Sequence, residues 1–160
     1  MATVTLTRRK HTRLLVVHCS ATHSGQDIGV QEITRWHRAR GWSTIGYHYV
    51  IRRNGTLETG RDEASIGAHV AGHNSDSIGI CLIGGVDTQS QAQNNFTNAQ
   101  LETLQHLLGL LQKRYPGTRI VGHRNLSPDR NGDGRITPNE WFKACPSFDI
   151  DAWLALNSPG

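Results

Sequence analysis

Short apolar runs and longer amphipathic stretches alternate along this chain. Leu14-Leu15-Val16-Val17-His18-Cys19 is apolar and rich in β-branched residues, the pattern of a buried strand that ends at a histidine. From Val30 to Arg40, Ile33 and Trp36 fall on one helical stripe with Arg35, His37 and Arg38 around it, and Gly41 follows as a stop signal, predicting an amphipathic surface helix. Residues Tyr47 to Arg53 alternate in polarity, which places Tyr47, Tyr49 and Ile51 on one strand face and His48 on the other. Asn54-Gly55 then predicts a tight hairpin into a second strand over Thr56 to Gly60. The run Ile78 to Ile83, closed by Gly84-Gly85, reads as a central strand.

A loop rich in glutamine and asparagine leads into the longest predicted helix. Thr97 and Gln100 have capping-box spacing, and Leu101, Leu104, Leu107, Leu108 and Leu111 make an apolar stripe that should pack on the sheet. Arg119 to Gly122 reads as a short strand delivering His123, and Asp149 to Leu156 as a terminal helix. No internal repeat or linker interrupts this order. The expectation is therefore one α/β domain over 1–160, with 1–13 as a basic arm.

Composition narrows the picture. A hydrophobic content of 36% is enough for one modest core, and the formal charge of +4 favours anionic partners without choosing between a cell envelope and nucleic acid. No stretch approaches the roughly 20 apolar residues needed to cross a bilayer. Met1 to Arg13 lacks the apolar centre of a secretory signal, so the protein is expected to be soluble and cytoplasmic when made. Three cysteines in unlike settings, Cys19, Cys81 and Cys145, do not form a disulfide framework. Cys19 and Cys81 read as small buried hydrophobes.

His18, His123 and Cys145 stand at predicted strand ends or turns, the last beside Pro146. Zinc accepts imidazole and thiolate together, and a catalytic zinc site uses three protein ligands with a fourth position open. Among nine histidines, spacing alone does not single out this triplet. His11, His37 and His106 are expected to be solvated.

A set of ordered motifs adds what spacing does not. Val17-His18-Cys19-Ser20-Ala21-Thr22, Gly46-Tyr47-His48-Tyr49, Gly60-Arg61-Asp62-Glu63, Ser77 to Gly85, Gly122-His123-Arg124 and Lys143-Ala144-Cys145-Pro146-Ser147-Phe148-Asp149 follow one another over nearly the whole chain. In these the sequence resembles the type 2 N-acetylmuramoyl-L-alanine amidase family, and its phage T7 lysozyme branch in particular. The resemblance implies a central mixed sheet flanked by helices, with zinc in a surface groove held by His18, His123 and Cys145. It implies hydrolysis of the amide between N-acetylmuramic acid and L-alanine in bacterial peptidoglycan, by a monomer made in a host bacterium's cytoplasm that acts on the wall after release.

Tyr47 and Lys143 match the family's catalytic positions. The resemblance makes Lys143 a stabiliser of the oxyanion and Tyr47 a hydrogen-bond donor or proton shuttle. On residue type alone, Tyr47 is an aromatic packed in the core and Lys143 a solvated helix lysine. His69, in Gly67-Ala68-His69, is implied as a substrate-side donor, the alternative being a solvated loop histidine.

Between His123 and Cys145 the chain departs from that branch by a longer insert. Residues 129–140 match the twelve-residue calcium-loop pattern: Asp129, Asn131 and Asp133 supply side-chain oxygens, Arg135 a carbonyl, Thr137 the ninth position and Glu140 a bidentate carboxylate. No helix is predicted to enter the loop, so it is half of an EF-hand; the alternative is an asparagine and glycine turn. Two rival functions remain. One is a peptidoglycan-recognition module that binds without cutting, which the presence of Cys145 disfavours. The other is a regulator that binds a phage RNA polymerase, for which Arg8, Arg9, Lys10 and Arg13 would supply a basic surface.

Overall fold

In the computed structural model the described residues are 6–127, 136 and 144–157. Among them, five strands form one mixed sheet: β1 (Leu14–Cys19), β2 (Tyr49–Ile51), β3 (Leu57–Thr59), β4 (Ser77–Leu82) and β5 (Arg119–Gly122), in the order β3-β2-β4-β1-β5. β1 pairs in parallel with both β4 and β5, β2 pairs in parallel with β4, and β3 closes an antiparallel hairpin on β2. Asn54-Gly55 makes that hairpin's turn, with Gly55 at φ 89°, a left-handed conformation that glycine adopts without a Cβ penalty.

Helices α1 (Val30–Ala39), α2 (Asn98–Arg114) and α3 (Ile150–Leu156) cover the sheet. β1 and β4 are buried almost throughout, as strands flanked on both faces must be, which explains their unbroken apolar composition. On one face Leu15, Val17, Ile51, Ile78, Ile80 and Leu82 meet Leu104, Leu107, Leu108 and Leu111 of α2 and Ile150 of α3. On the other, Val50, Cys81 and Ile83 meet Ile33 of α1. A fully buried leucine such as Leu108 contributes enough that truncation to alanine costs about 2–5 kcal/mol.

The predicted capping box starts α2. Thr97 Oγ1 accepts from the Gln100 amide at 3.1 Å, while Gln100 Oε1 accepts from the Thr97 amide at 2.9 Å. The same Gln100 side chain donates to the carbonyls of Ile51 and Ile83, so the cap also ties the helix to the sheet. Asp149 caps α3 through the Ala152 amide.

Two local expectations need correction. The buried pair of α1 is Ile33 and His37, while Trp36 is 43% exposed. His37 is thus not solvated: its Nδ1 accepts from the Gly46 amide at 2.9 Å and its ring packs beside Trp42 and Tyr47. Nor does Tyr47 share a face with Tyr49 and Ile51; it packs with Ile33 and Val50, on the opposite side of the sheet. The β2 ladder begins only at Tyr49, so Tyr47 lies ahead of the regular alternation, in a stretch where the residue 68 amide donates to the Gly46 carbonyl at 3.1 Å.

Candidate metal centre

Strand register brings the site together. Val17 is paired with Gly122, so the next residues, His18 and His123, emerge side by side at the carboxyl ends of neighbouring parallel strands. Their rings stand 4.6 Å apart between centroids. Past β5 the chain makes a short 3-10 turn over His123–Leu126, and the Arg124 amide donates to the carbonyl of Cys145 at 2.8 Å, anchoring the returning segment. The Cys19 amide donates to Cys145 Sγ at 3.0 Å. One ligand atom from each of His18, His123 and Cys145 lies within 4.8 Å of the others.

These donors fit a zinc ion chemically. Two imidazoles and a thiol make a mixed nitrogen and sulfur set, and three protein ligands leave a coordination position open. Burial pushes the Cys145 thiol well above its ordinary pKa, and the neighbouring Cys19 thiol adds to this, against the Cys19 amide which lowers it. A cation between the three residues is what would favour the thiolate.

The donors face a pocket of about 390 Å³ whose walls include Tyr47, His69, Trp36, Trp42 and Arg40. Tyr47 stacks at a tilt on His18, with centroids 5.0 Å apart. Burial first, then the thiols of Cys81, Cys145 and Cys19, push its phenol well above the ordinary value, so it stays protonated and can donate. Trp36 and Trp42, 43% and 37% exposed, form the outer part of the wall. Neither was legible as a site residue, since a tryptophan on a helix or after a glycine reads as packing.

His69 is buried, and both its ring nitrogens are engaged inside the protein: Nδ1 with His18 Nε2 at 2.8 Å and Nε2 with Ser77 Oγ at 3.1 Å. It is therefore not the solvated loop histidine of the alternative reading. Ser77, visible in the sequence only as the start of the Ser77 to Gly85 motif, is a further residue whose role no spacing argument selects. His48 beside it is also satisfied, accepting from the Gly79 amide at 3.0 Å and donating to the Ser65 carbonyl at 2.8 Å. Burial, with Arg9 and Arg61 nearby, pushes its pKa down to about 4.

Lys143 and the loop residues Asp129, Asn131, Asp133, Arg135, Thr137 and Glu140 lie outside the described residues. In the basic arm, Arg9 is held by Thr12 and by the carbonyls of Glu63 and Ser65, so one of its four cations is committed to the domain. No helix among the described residues is long and apolar enough to cross a membrane.

A family model described as N-acetylmuramoyl-L-alanine amidase matches residues 8–146. The chain is 43% identical over 157 residues to the endolysin of Klebsiella phage KP32, covering 98% of this chain and 95% of that protein. The endolysin of Escherichia phage T7 is 42% identical over the same proportions. Among solved structures, the endolysin amidase LysCS of Clostridium intestinale superposes with a TM-score of 0.74 at 25% identity, over 96% of this chain and 88% of that one.

Proposed function

From the premise that this chain belongs to the N-acetylmuramoyl-L-alanine amidase family, we propose that it is a zinc-dependent phage endolysin. It hydrolyses the amide joining the lactyl group of N-acetylmuramic acid to L-alanine in bacterial peptidoglycan. The observation that carries this reading is the convergence of His18, His123 and Cys145 within 4.8 Å in the lining of a pocket. It also favours cutting over recognition alone, because the set of three donors is complete.

When bound, zinc supplies Lewis acidity, which in three-ligand sites brings the pKa of water toward about 7. The chain's own residues do the rest. Tyr47, protonated at the pocket wall, donates a hydrogen bond and carries a proton toward the leaving amine of L-alanine. Lys143, assigned by resemblance, stabilises the negative charge that develops on the carbonyl oxygen. Trp36 and Trp42 give the substrate an apolar wall and exclude water from that side of the pocket. The protein is made in the host cytoplasm and meets its substrate at the wall.

Purified sacculi test this directly. Digestion should create new amino termini on L-alanine and no new reducing sugars, and a chelated sample should be inactive until zinc is restored. Reducing ends would indicate a glycosidase, and undiminished activity in the chelated sample would remove zinc from the reaction.

A further inference from the structure

A row of hydrogen bonds runs away from the metal centre into the protein: His18 Nε2 to His69 Nδ1 at 2.8 Å, His69 Nε2 to Ser77 Oγ at 3.1 Å, and Ser77 Oγ to the His73 carbonyl at 2.6 Å. Its far end sets the direction of every bond. A carbonyl oxygen only accepts, so the Ser77 hydroxyl donates its proton to His73. Ser77 Oγ then accepts, which requires a proton on His69 Nε2. A neutral imidazole carries one N–H, so His69 Nδ1 is the accepting nitrogen, and the proton between the two rings belongs to His18 Nε2. That leaves Nδ1 as the nitrogen of His18 suited to a metal.

We propose that Ser77 and His69 are positioning residues that set the tautomer and ring orientation of His18 for zinc; this rests on the zinc reading above. It assigns His69 a role behind the ligand in place of the substrate-side contact implied by resemblance.

The surroundings of His69 fit a ring held in one place. A Cβ on Gly79 would lie 2.6 Å from His69 Cγ, and one on Gly67 would lie 2.7 Å from its Cδ2, so two glycines leave a slot that the imidazole fills. The backbone is pinned as well: Asn74 Oδ1 accepts from the amides of His69 at 2.8 Å and Val70 at 2.9 Å. Ser77, fully buried, opens β4, and its register partner in β1 is Leu14. The same central strand pair thus carries both the ligand and the end of its support. Residues in this outer position typically change metal affinity or activity by about 10–100-fold when removed.

Two measurements on the full chain test the assignment. Long-range proton–nitrogen NMR of the ¹⁵N-labelled protein should show both His18 and His69 as Nε2–H tautomers; an Nδ1–H form of either ring overturns the relay. Zinc affinity, read by competition with a chromophoric chelator, should fall about 10–100-fold in His69→Leu. It should be largely kept in His69→Asn, whose amide oxygen can take the accepting place of Nδ1, and Ser77→Ala should weaken it as well. Equal affinity in His69→Leu and wild type, with only KM raised, would make His69 a substrate contact and sink the proposal. Equal losses in the leucine and asparagine variants would make it a packing residue. If His69→Leu does not fold, the wild-type tautomers still decide. If the wild-type chain takes up no zinc, the zinc reading fails, and the relay is judged by the tautomers alone.

Discussion

Two polar clusters in this molecule each gather groups from distant parts of the chain, and they differ in the kind of group each brings together. Around Glu63, one carboxylate receives the hydroxyls of Tyr49 and Tyr115 and the guanidinium of Arg114, while Arg9 bonds the Glu63 carbonyl. Acceptor and donors match, and the negative charge meets a positive one. At the end of β1, by contrast, the groups that converge among the described residues are two imidazoles and a sulfur, each offering one ligand atom within 4.8 Å of the others. The first cluster is structural cement. The second has its hydrogen bonds arranged behind the ligands, through His69 and the Cys19 amide, and its electron pairs in front. Matched acceptor and donors mark the first as structural, whereas a mixed nitrogen and sulfur set is the kind that could hold an ion.

Substitutions should separate the two regions sharply. His18→Ala and Cys145→Ser should abolish both zinc retention and amidase activity, because three ligands leave no spare; full metal content in either variant would end the distinction. Lys143→Ala should lower turnover by about a hundredfold or more, as loss of an oxyanion stabiliser does, with zinc remaining near one per chain. A fall in zinc content would make that lysine structural.

Glu63→Gln should leave zinc and catalysis in place while lowering stability by about 1.5–3 kcal/mol, the usual loss for hydrogen bonds to a charged group, read as a reduced Tm. Burial raises the Glu63 pKa, but its bonds from Tyr49, Arg114 and Tyr115 outweigh that and hold it below the ordinary carboxylate value. Its contribution is therefore present above that ordinary value and fades as pH falls through the lowered one.

Acid should act earlier through the imidazoles. His37, pushed down to about 4 mainly by burial and then by Arg40 and Arg61, and His48, also near 4, stay neutral in the fold, whereas unfolded histidine titrates at 6.5. The unfolded chain binds protons first, so stability should decline as pH falls from 6.5 toward 4. A melting temperature flat across that window would contradict the burial of both rings. The smallest effect concerns the calcium-like pattern. Millimolar calcium should raise Tm modestly, with an affinity of about 0.1–1 mM, and Asp129→Ala with Asp133→Ala should remove the response. No calorimetric heat and no shift in Tm would leave 129–140 an ordinary turn.

Much of the scaffold was legible because local rules decide it. The β-branched run of β1, the Asn54-Gly55 turn and the Thr97 cap each carry their structure in a few adjacent residues. His37 was misread because a helical stripe tells which positions can be buried, not which neighbour claims them: the Gly46 amide took the histidine, and Trp36 was left at the pocket. The centre itself was legible only through ordered motifs, since His18 and His123 meet by strand register and Cys145 is held by the Arg124 amide, all far apart in sequence. Ser77 was visible only as the start of a motif and without a role, because a serine opening an apolar strand shows its purpose only when its partner ring is placed.

The position of β1 between β4 and β5 has a kinetic consequence. Both of its pairings are parallel and join segments far apart in sequence, so loop-closure entropy is spent before either ladder forms, and topologies of this kind fold slowly. His18 can meet His123 only once β5 pairs with β1, and Cys145 only once its segment bonds the Arg124 and Cys19 amides. Zinc uptake during refolding is therefore expected to lag the pairing of β5 with β1, a delay that stopped-flow refolding in the presence of the ion would read.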